Sequence, residues 1–238
     1  MHYYQNPSCK TYAKQDDSPV TSADHQADRI IKDQLSALAA FPYLSEECFD
    51  DRVDWSGVPT YWLVDPLDGT KEFLAGTDEF TVNIALIHQK QPVLGVVHAP
   101  ALGRTYAAFL GGGSHKIEKG VWQKLPLHKP LRETIVVVSR SHCDTKTQAY
   151  LAQLCQAGIK VKTMATGSSL KFCLVAEGAA TLYPRFGPTK EWDIAAGLVV
   201  ACEAGCSVWS KVPLEFNKES IVNPAFTISR GALPINPQ

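Results

Sequence analysis

Between Ala23 and Ala40 apolar residues fall at Ala27, Ile30, Ile31, Leu35 and Leu38, the i, i+3, i+4 rhythm of a helix face. With Thr21 or Ser22 able to cap it, this pattern predicts an amphipathic helix over 22–40. After Phe41-Pro42 the elements shorten. Tyr61-Trp62-Leu63-Val64 reads as a buried strand that ends at Asp65-Pro66, because Pro66 removes a ladder donor. Phe80–Gln89, Pro92–His98, Arg104–Leu110 and Val121–Leu125 follow as short strands between Gln-Pro, Pro-Ala-Leu-Gly and Gly-Gly-Gly turns. That spacing predicts an antiparallel meander. From Glu133 strand and helix patterns alternate: a β-branched strand at Thr134–Ser139, a helix at Thr145–Ala157, a strand near Lys160–Met164 and a helix at Ser168–Glu177. A last helix spans Lys190–Ala204, with Gly205 where a C-terminal cap belongs. The first half is therefore read as α+β and the second as α/β. The seam lies near Pro126–Pro130, giving an expected division into 1–127 and 128–238.

Composition narrows the classes. The 238 residues hold 23 Lys+Arg against 24 Asp+Glu, a formal charge of −1, with 45% hydrophobic and 20% charged residues. Such a chain can bury a sizeable core, and disorder, collagen and coiled coil are excluded. Balanced charge supplies no general field for nucleic acid or an anionic membrane, so an anionic ligand must be held locally. The longest apolar runs, Ile135–Val138 and Ile194–Cys202, fall far short of the roughly 20 residues a spanning helix needs. Met1–Gln5 has no signal-peptide pattern, and the expected location is cytoplasmic. The seven cysteines contain no C-x-x-C pair, and Cys202 and Cys206 lack a following histidine to complete a metal site.

The chemistry concentrates in Trp62-Leu63-Val64-Asp65-Pro66-Leu67-Asp68-Gly69-Thr70-Lys71-Glu72-Phe73. A buried strand delivers Asp65 and Asp68 together, and clustered carboxylates suit a hard cation such as Mg²⁺. If Gly69 and Thr70 open a helix, their N–H groups form an anion site beside it. An isolated Asp-Pro-x-Asp-Gly-Thr would be read first as a turn with an N-cap, and two further segments change that reading. Ser45-Glu46-Glu47 and Glu191-Trp192-Asp193, each alone a solvated patch, add carboxylates at a loop and at a helix start.

These three segments, with Trp192-Asp193-Ile194-Ala195-Ala196-Gly197, resemble the Mg²⁺-dependent, Li⁺-sensitive inositol monophosphatase family. Within it, Asp65–Phe73 with Glu79–Ile87, and Tyr183–Asp193, are similar to the CysQ-type 3′(2′),5′-bisphosphate nucleotidases. The likeness runs from Asp16-Asp17-Ser18-Pro19-Val20-Thr21 to the end. It implies a layered αβαβα sandwich of the inositol monophosphatase and fructose-1,6-bisphosphatase type. It also implies a phosphomonoesterase active in sulfur assimilation, converting adenosine 3′,5′-bisphosphate to AMP and phosphate. Inositol or sugar phosphates on the same scaffold are the alternative, as is a catalytically silent binder of metal or nucleotide.

By the resemblance, Glu46, Asp65, Asp68, Asp193 and the Leu67 carbonyl hold two or three Mg²⁺ ions, and Li⁺ inhibits. Thr70 and Asp24 orient the attacking water and take its proton; without the family, Asp24 is an ordinary first-turn residue. The substrate is expected to meet Glu46, Leu67, Asp68, Gly69, Thr70 and Asp193. Its second phosphate is expected to meet Ser141 and His142 in Ser139-Arg140-Ser141-His142, the helix opening at Gly167, Lys171, and Arg185. His142 as a plain loop residue, Lys171 on a solvated face and Arg185 as a structural counter-ion remain open. Relatives begin with a longer helix, so the first helix is expected to be truncated, with Met1–Gln5 its remnant. The partner class is a small nucleotide bisphosphate, without nucleic acid or an integral membrane segment, for a monomer or homodimer; peripheral attachment to the inner membrane is admitted.

Overall fold

The computed structural model describes residues 1–6, 9–13, 19–55, 57–129, 131–140, 144–233 and 235. In chain order the elements are β1 (Thr11–Ala13), β2 (Pro19–Thr21), α1 (Ser22–Leu38), β3 (Tyr43–Ser45), β4 (Thr60–Asp68), α2 (Thr70–Ala75), β5 (Thr81–His88), β6 (Gln91–Ala99), β7 (Arg104–Phe109), β8 (Gly113–Glu118) and β9 (Val121–Lys124). The second half adds β10 (Thr134–Ser139), α3 (Thr145–Gln156), β11 (Val161–Thr166), α4 (Leu170–Glu177), β12 (Leu182–Arg185), α5 (Glu191–Glu203), β13 (Ser207–Ser210) and β14 (Phe226–Ser229).

The predicted meander is present. β4 to β9 run antiparallel in sequence order within a seven-stranded sheet, and β3 joins its edge parallel to β4. A second sheet has the order β11-β10-β12-β14-β13, parallel across β10 and antiparallel beyond β12. α4 and α5 lie between the sheets, α1 packs on β4, and α3 packs on β11. This is the αβαβα layering. One apolar cluster draws Leu63, Ile87 and Val97 from the first sheet, Phe172 and Val200 from the middle helices, and Phe226 and Ile228 from the second sheet.

Glycine sets how closely the middle layer approaches. A Cβ on Gly95 of β6 would stand 2.4 Å from the Ala196 carbonyl oxygen in α5, so only glycine lets that helix lie this close. The same helix carries Asp193 in its first turn, and its far end closes as expected. Gly205 at φ +84 donates to the Cys202 carbonyl, while Cys206 donates to Ala201, the paired bonds of a Schellman cap.

Several expectations are corrected. β4 continues past Pro66 to Asp68, since pairing with β5 is irregular between Asp65 and Asp68 and resumes at Asp68–Thr81. Pro66 sits where the ladder asks for no donor. Tyr43–Ser45, for which no strand was expected, forms β3, and β8 begins within the Gly-Gly-Gly turn. β12, β13 and β14 have only four residues each, too short for a periodic signal. α4 begins at Leu170 because Ser168 adopts φ +48, which no right-handed helix accommodates. The apolar stripe of α1 is only partly covered: Ala27, Ile31 and Leu35 are half-buried, Ile30 and Leu38 are exposed, and Asp24 is the buried residue of the helix. Met1–Gln5 forms turns, with Tyr4 packed on Phe73 and Phe80.

Candidate active site

Glu46, Asp65, Leu67, Asp68, Gly69, Thr70, Lys171, Arg185 and Asp193 line one cleft of about 270 Å³. Elements of both sheets build it. Glu46 follows β3, Asp65 and Asp68 end β4, Thr70 opens α2, Lys171 lies in the first turn of α4, and Asp193 is the third residue of α5. Carboxylate oxygens of Glu46, Asp65 and Asp193 lie within 4.8 Å of one another. Packing three acids together with oxygen donors only is the habit of a hard divalent cation site.

Electrostatics carries the same message. Asp65 is nearly inaccessible, and burial followed by Glu46, Asp68 and Asp193 holds its carboxyl far above the usual range. Asp193 is pushed up to about 7, by burial first and then by Asp68 and Glu46. A cation removes this penalty by pairing with both acids.

The protein grips these acids through single oxygens. Asp65 Oδ1 accepts from the Leu67 amide at 3.0 Å, and Asp193 Oδ2 accepts from the Lys190 amide at 2.8 Å. Asp68 Oδ2 accepts from Ser169 Oγ at 2.8 Å, Asn83 Nδ2 at 3.2 Å and Thr81 Oγ1 at 3.4 Å. None of these bonds engages the second oxygen of the carboxylate. Ser169, Asn83 and Thr81 were not singled out from the sequence. Asn83 and Thr81 lie on the cleft side of β5, in the Phe80–Ile87 run, and that alternation was the signal available.

Thr70 and Asp24 meet as expected, with Thr70 Oγ1 at 3.3 Å from Asp24 Oδ1. The other Asp24 oxygen is taken by the Thr21 amide at 2.8 Å and the Thr21 hydroxyl at 2.6 Å, which closes a capping box at the start of α1. Asp24 therefore caps the helix and reaches the cleft through Thr70.

The cations differ from simple surface groups. Lys171 is 5% exposed, its ammonium donates to the Ser168 carbonyl, and burial, opposed by Asp68, lowers its pKa to about 8. Arg185 donates to the Pro188 carbonyl at 2.9 Å, while its buried Nε has no partner among the described residues. Such an orphaned donor in an acidic cleft fits an anionic ligand. Gly167 departs from expectation: its amide already donates to Glu79 Oε2 at 2.9 Å and is not free for phosphate. Ser141 and His142 lie outside the described residues.

Among the described residues no helix is long and apolar enough to cross a membrane. The model of the inositol monophosphatase family matches residues 2–216. The chain is 50% identical over 224 residues to the 3′(2′),5′-bisphosphate nucleotidase CysQ of Shigella flexneri, covering 91% of this chain and 87% of that protein. It is 48% identical to the Salmonella typhimurium CysQ, with coverage of 96% and 93%. The crystal structure of CysQ from Bacteroides thetaiotaomicron, a bacterial member of the inositol monophosphatase family, superposes with a TM-score of 0.78. Identity there is 41%, with 85% of this chain and 82% of that one covered. A match that spans nine-tenths of the chain and takes in every carboxylate of the cleft leaves one assignment: the protein belongs to the inositol monophosphatase family, whose members are metal-dependent.

Proposed function

We propose that this chain is a Mg²⁺-dependent 3′(2′),5′-bisphosphate nucleotidase that converts adenosine 3′,5′-bisphosphate to AMP and phosphate. The observation that carries the reading is the charge division of the cleft. Glu46, Asp65 and Asp193 crowd their oxygens at one place, and Lys171 and Arg185, whose buried Nε has no partner among the described residues, line the same cleft. A neutral polyol needs hydrogen bonds alone, whereas a second phosphate calls for such cations. The relatives named CysQ at about half identity support the same substrate class.

Glu46, Asp65, Asp68 and Asp193, with the Leu67 carbonyl, are the groups that would hold the metal. Bound Mg²⁺ supplies neutralisation of phosphoryl charge and acidification of water at neutral pH. The chain's own residues do the rest. Thr70, held by Asp24, orients the attacking water and passes its proton to that carboxylate, while the departing sugar oxygen takes a proton from solvent as its bond to phosphorus breaks. Lys171 and Arg185 hold the phosphate that is not cleaved. Ser141 and His142 belong to this reading as further donors, and Gly69 as the left-handed turn, φ +94, that admits phosphate beside Thr70. Li⁺ inhibits by competing at the acidic cluster. A cytoplasmic location accords with six free cysteines among the described residues, since reducing compartments preserve thiols.

The test is phosphate release from adenosine 3′,5′-bisphosphate with Mg²⁺, with chelator, and by Asp65→Asn. Release of one phosphate and AMP, abolished by chelator and by the substitution, supports the reading. Release that survives both refutes it, and metal binding without any release assigns a silent binder instead.

A further inference from the structure

Arg140, at the end of β10, and Glu79, between α2 and β5, form an ion pair between the two halves that plays no part in the chemistry described above. Arg140 Nε and Nη2 each stand 2.7 Å from a different oxygen of Glu79, the two-pronged geometry that fixes direction as well as distance. The same Nη2 reaches the Ala165 carbonyl at 2.9 Å. Glu79 Oε2 in turn accepts from the Gly167 amide. One pair thus ties the end of β10, the end of β11 and the turn before α4 to the first half.

That turn needs holding. Ser168 sits at φ +48, a region a serine occupies at a cost unless its surroundings impose it. Gly167 is seated so tightly that a Cβ would stand 2.7 Å from both Glu72 Cγ and the Glu79 carbonyl oxygen. The turn then delivers two groups to the cleft. The Ser168 carbonyl accepts from the Lys171 ammonium, and the Ser169 hydroxyl reaches Asp68 Oδ2 at 2.8 Å and the Asp193 carbonyl at 2.9 Å.

We infer that Glu79 and Arg140 are positioning residues: their ion pair latches the Gly167–Ser169 turn against the first half and, through Ser169 and Ser168, sets Asp68 and Lys171. The latch rests on the phosphatase reading only for its kinetic consequences. Its structural consequences stand in the metal-free protein. Arg140 lies next to the segment expected to meet substrate, and direct phosphate binding by Arg140 predicts the opposite behaviour of Glu79. A latch needs Glu79, whereas a phosphate ligand is released by its loss.

The experiment uses Arg140→Gln, Glu79→Gln, the double variant and Arg140→Lys. Amide hydrogen exchange over 166–170 is read in the metal-free protein, the Mg²⁺ half-saturation from its thermal shift, and kcat and KM on mono- and bisphosphate substrates. The expected result is faster exchange confined to that turn and a Mg²⁺ half-saturation raised about 10-fold in either single variant, the scale of lost ligand support. The double variant is expected to be no worse than the poorer single one, because both remove the same contact. Arg140→Lys keeps the charge without the fork and should fall between. Unchanged exchange in both single variants overturns the latch. So does a Glu79→Gln variant with normal or improved KM beside an Arg140→Gln variant impaired on bisphosphates alone. If the wild type releases no phosphate at all, the functional reading fails, and exchange and Mg²⁺ binding still decide the latch.

Discussion

Replacing Asp193 by Asn separates the cost of the acidic cluster from its use. In the metal-free protein the Asp193 carboxyl is pushed up to about 7 from 3.8, by burial, Asp68 and Glu46. The folded state therefore keeps a proton that the unfolded chain releases near pH 4. Stability tied to this group is full below that pH and is lost as pH rises through about 7. The difference of about three units, at 1.36 kcal/mol each, bounds the loss at about 4 kcal/mol. Asn carries no charge, and its amide oxygen can still accept from the Lys190 amide that holds Asp193 Oδ2 at 2.8 Å. With half the bound surviving local relaxation, metal-free Asp193→Asn is expected to be more stable than wild type at pH 8 by about 2 kcal/mol, or about 4–8 °C in Tm. The gap closes as pH falls toward 4. Saturating Mg²⁺ reverses the order, because the wild type gains about 2.7 kcal/mol at a hundred times Kd and the variant has lost a ligand. Scanning calorimetry at several pH values, with chelator or Mg²⁺, reads all of this. A chelated variant no more stable than wild type at pH 8 would refute the crowding argument. An undiminished Mg²⁺ shift would remove Asp193 from the ligand set.

Three further outcomes follow from the same geometry. Thr70→Ala should lower phosphate release about 10²–10⁴-fold, the range of a lost proton-transfer group, while the Mg²⁺-induced thermal shift persists; loss of both effects together would make Thr70 a metal-site residue instead. Because the Lys171 pKa is lowered to about 8 by burial, the KM for a bisphosphate should rise as pH passes 8, and Lys171→Met should remove that rise; a flat wild-type profile contradicts the assignment. Gly95→Ala should lower the urea midpoint by the equivalent of about 1–3 kcal/mol, since its Cβ meets the Ala196 carbonyl oxygen of α5 at 2.4 Å; an unchanged midpoint would show that the helix has room.

Chemistry that is local in sequence was legible, and chemistry that depends on distant partners was not. Asp65, Asp68 and Thr70 sit within six residues on one strand and turn, so their type and spacing single them out as candidates for a cation beside an anion site. The helices α3 and α5 and the strand β10 could likewise be read from apolar period and caps. The strands β12 to β14 could not, because four residues carry too little pattern and their pairing is decided by the sheet they join. Pro66 misled because a proline that ends a regular ladder is tolerated inside an irregular one. Gly167 looked like an open helix start, yet its amide belongs to Glu79, 88 residues away. Asn83 and Ser169, 86 residues apart, share a buried hydrogen bond at Asp68 that no spacing rule announces.

The most direct test of the account is the ratio of kcat/KM for adenosine 3′,5′-bisphosphate to that for inositol 1-phosphate under saturating Mg²⁺. Two charge-assisted contacts from Lys171 and Arg185, at about 1.5–3 kcal/mol each, predict a preference of about 100-fold or more for the bisphosphate. A ratio near one, or a preference for inositol 1-phosphate, would contradict the account.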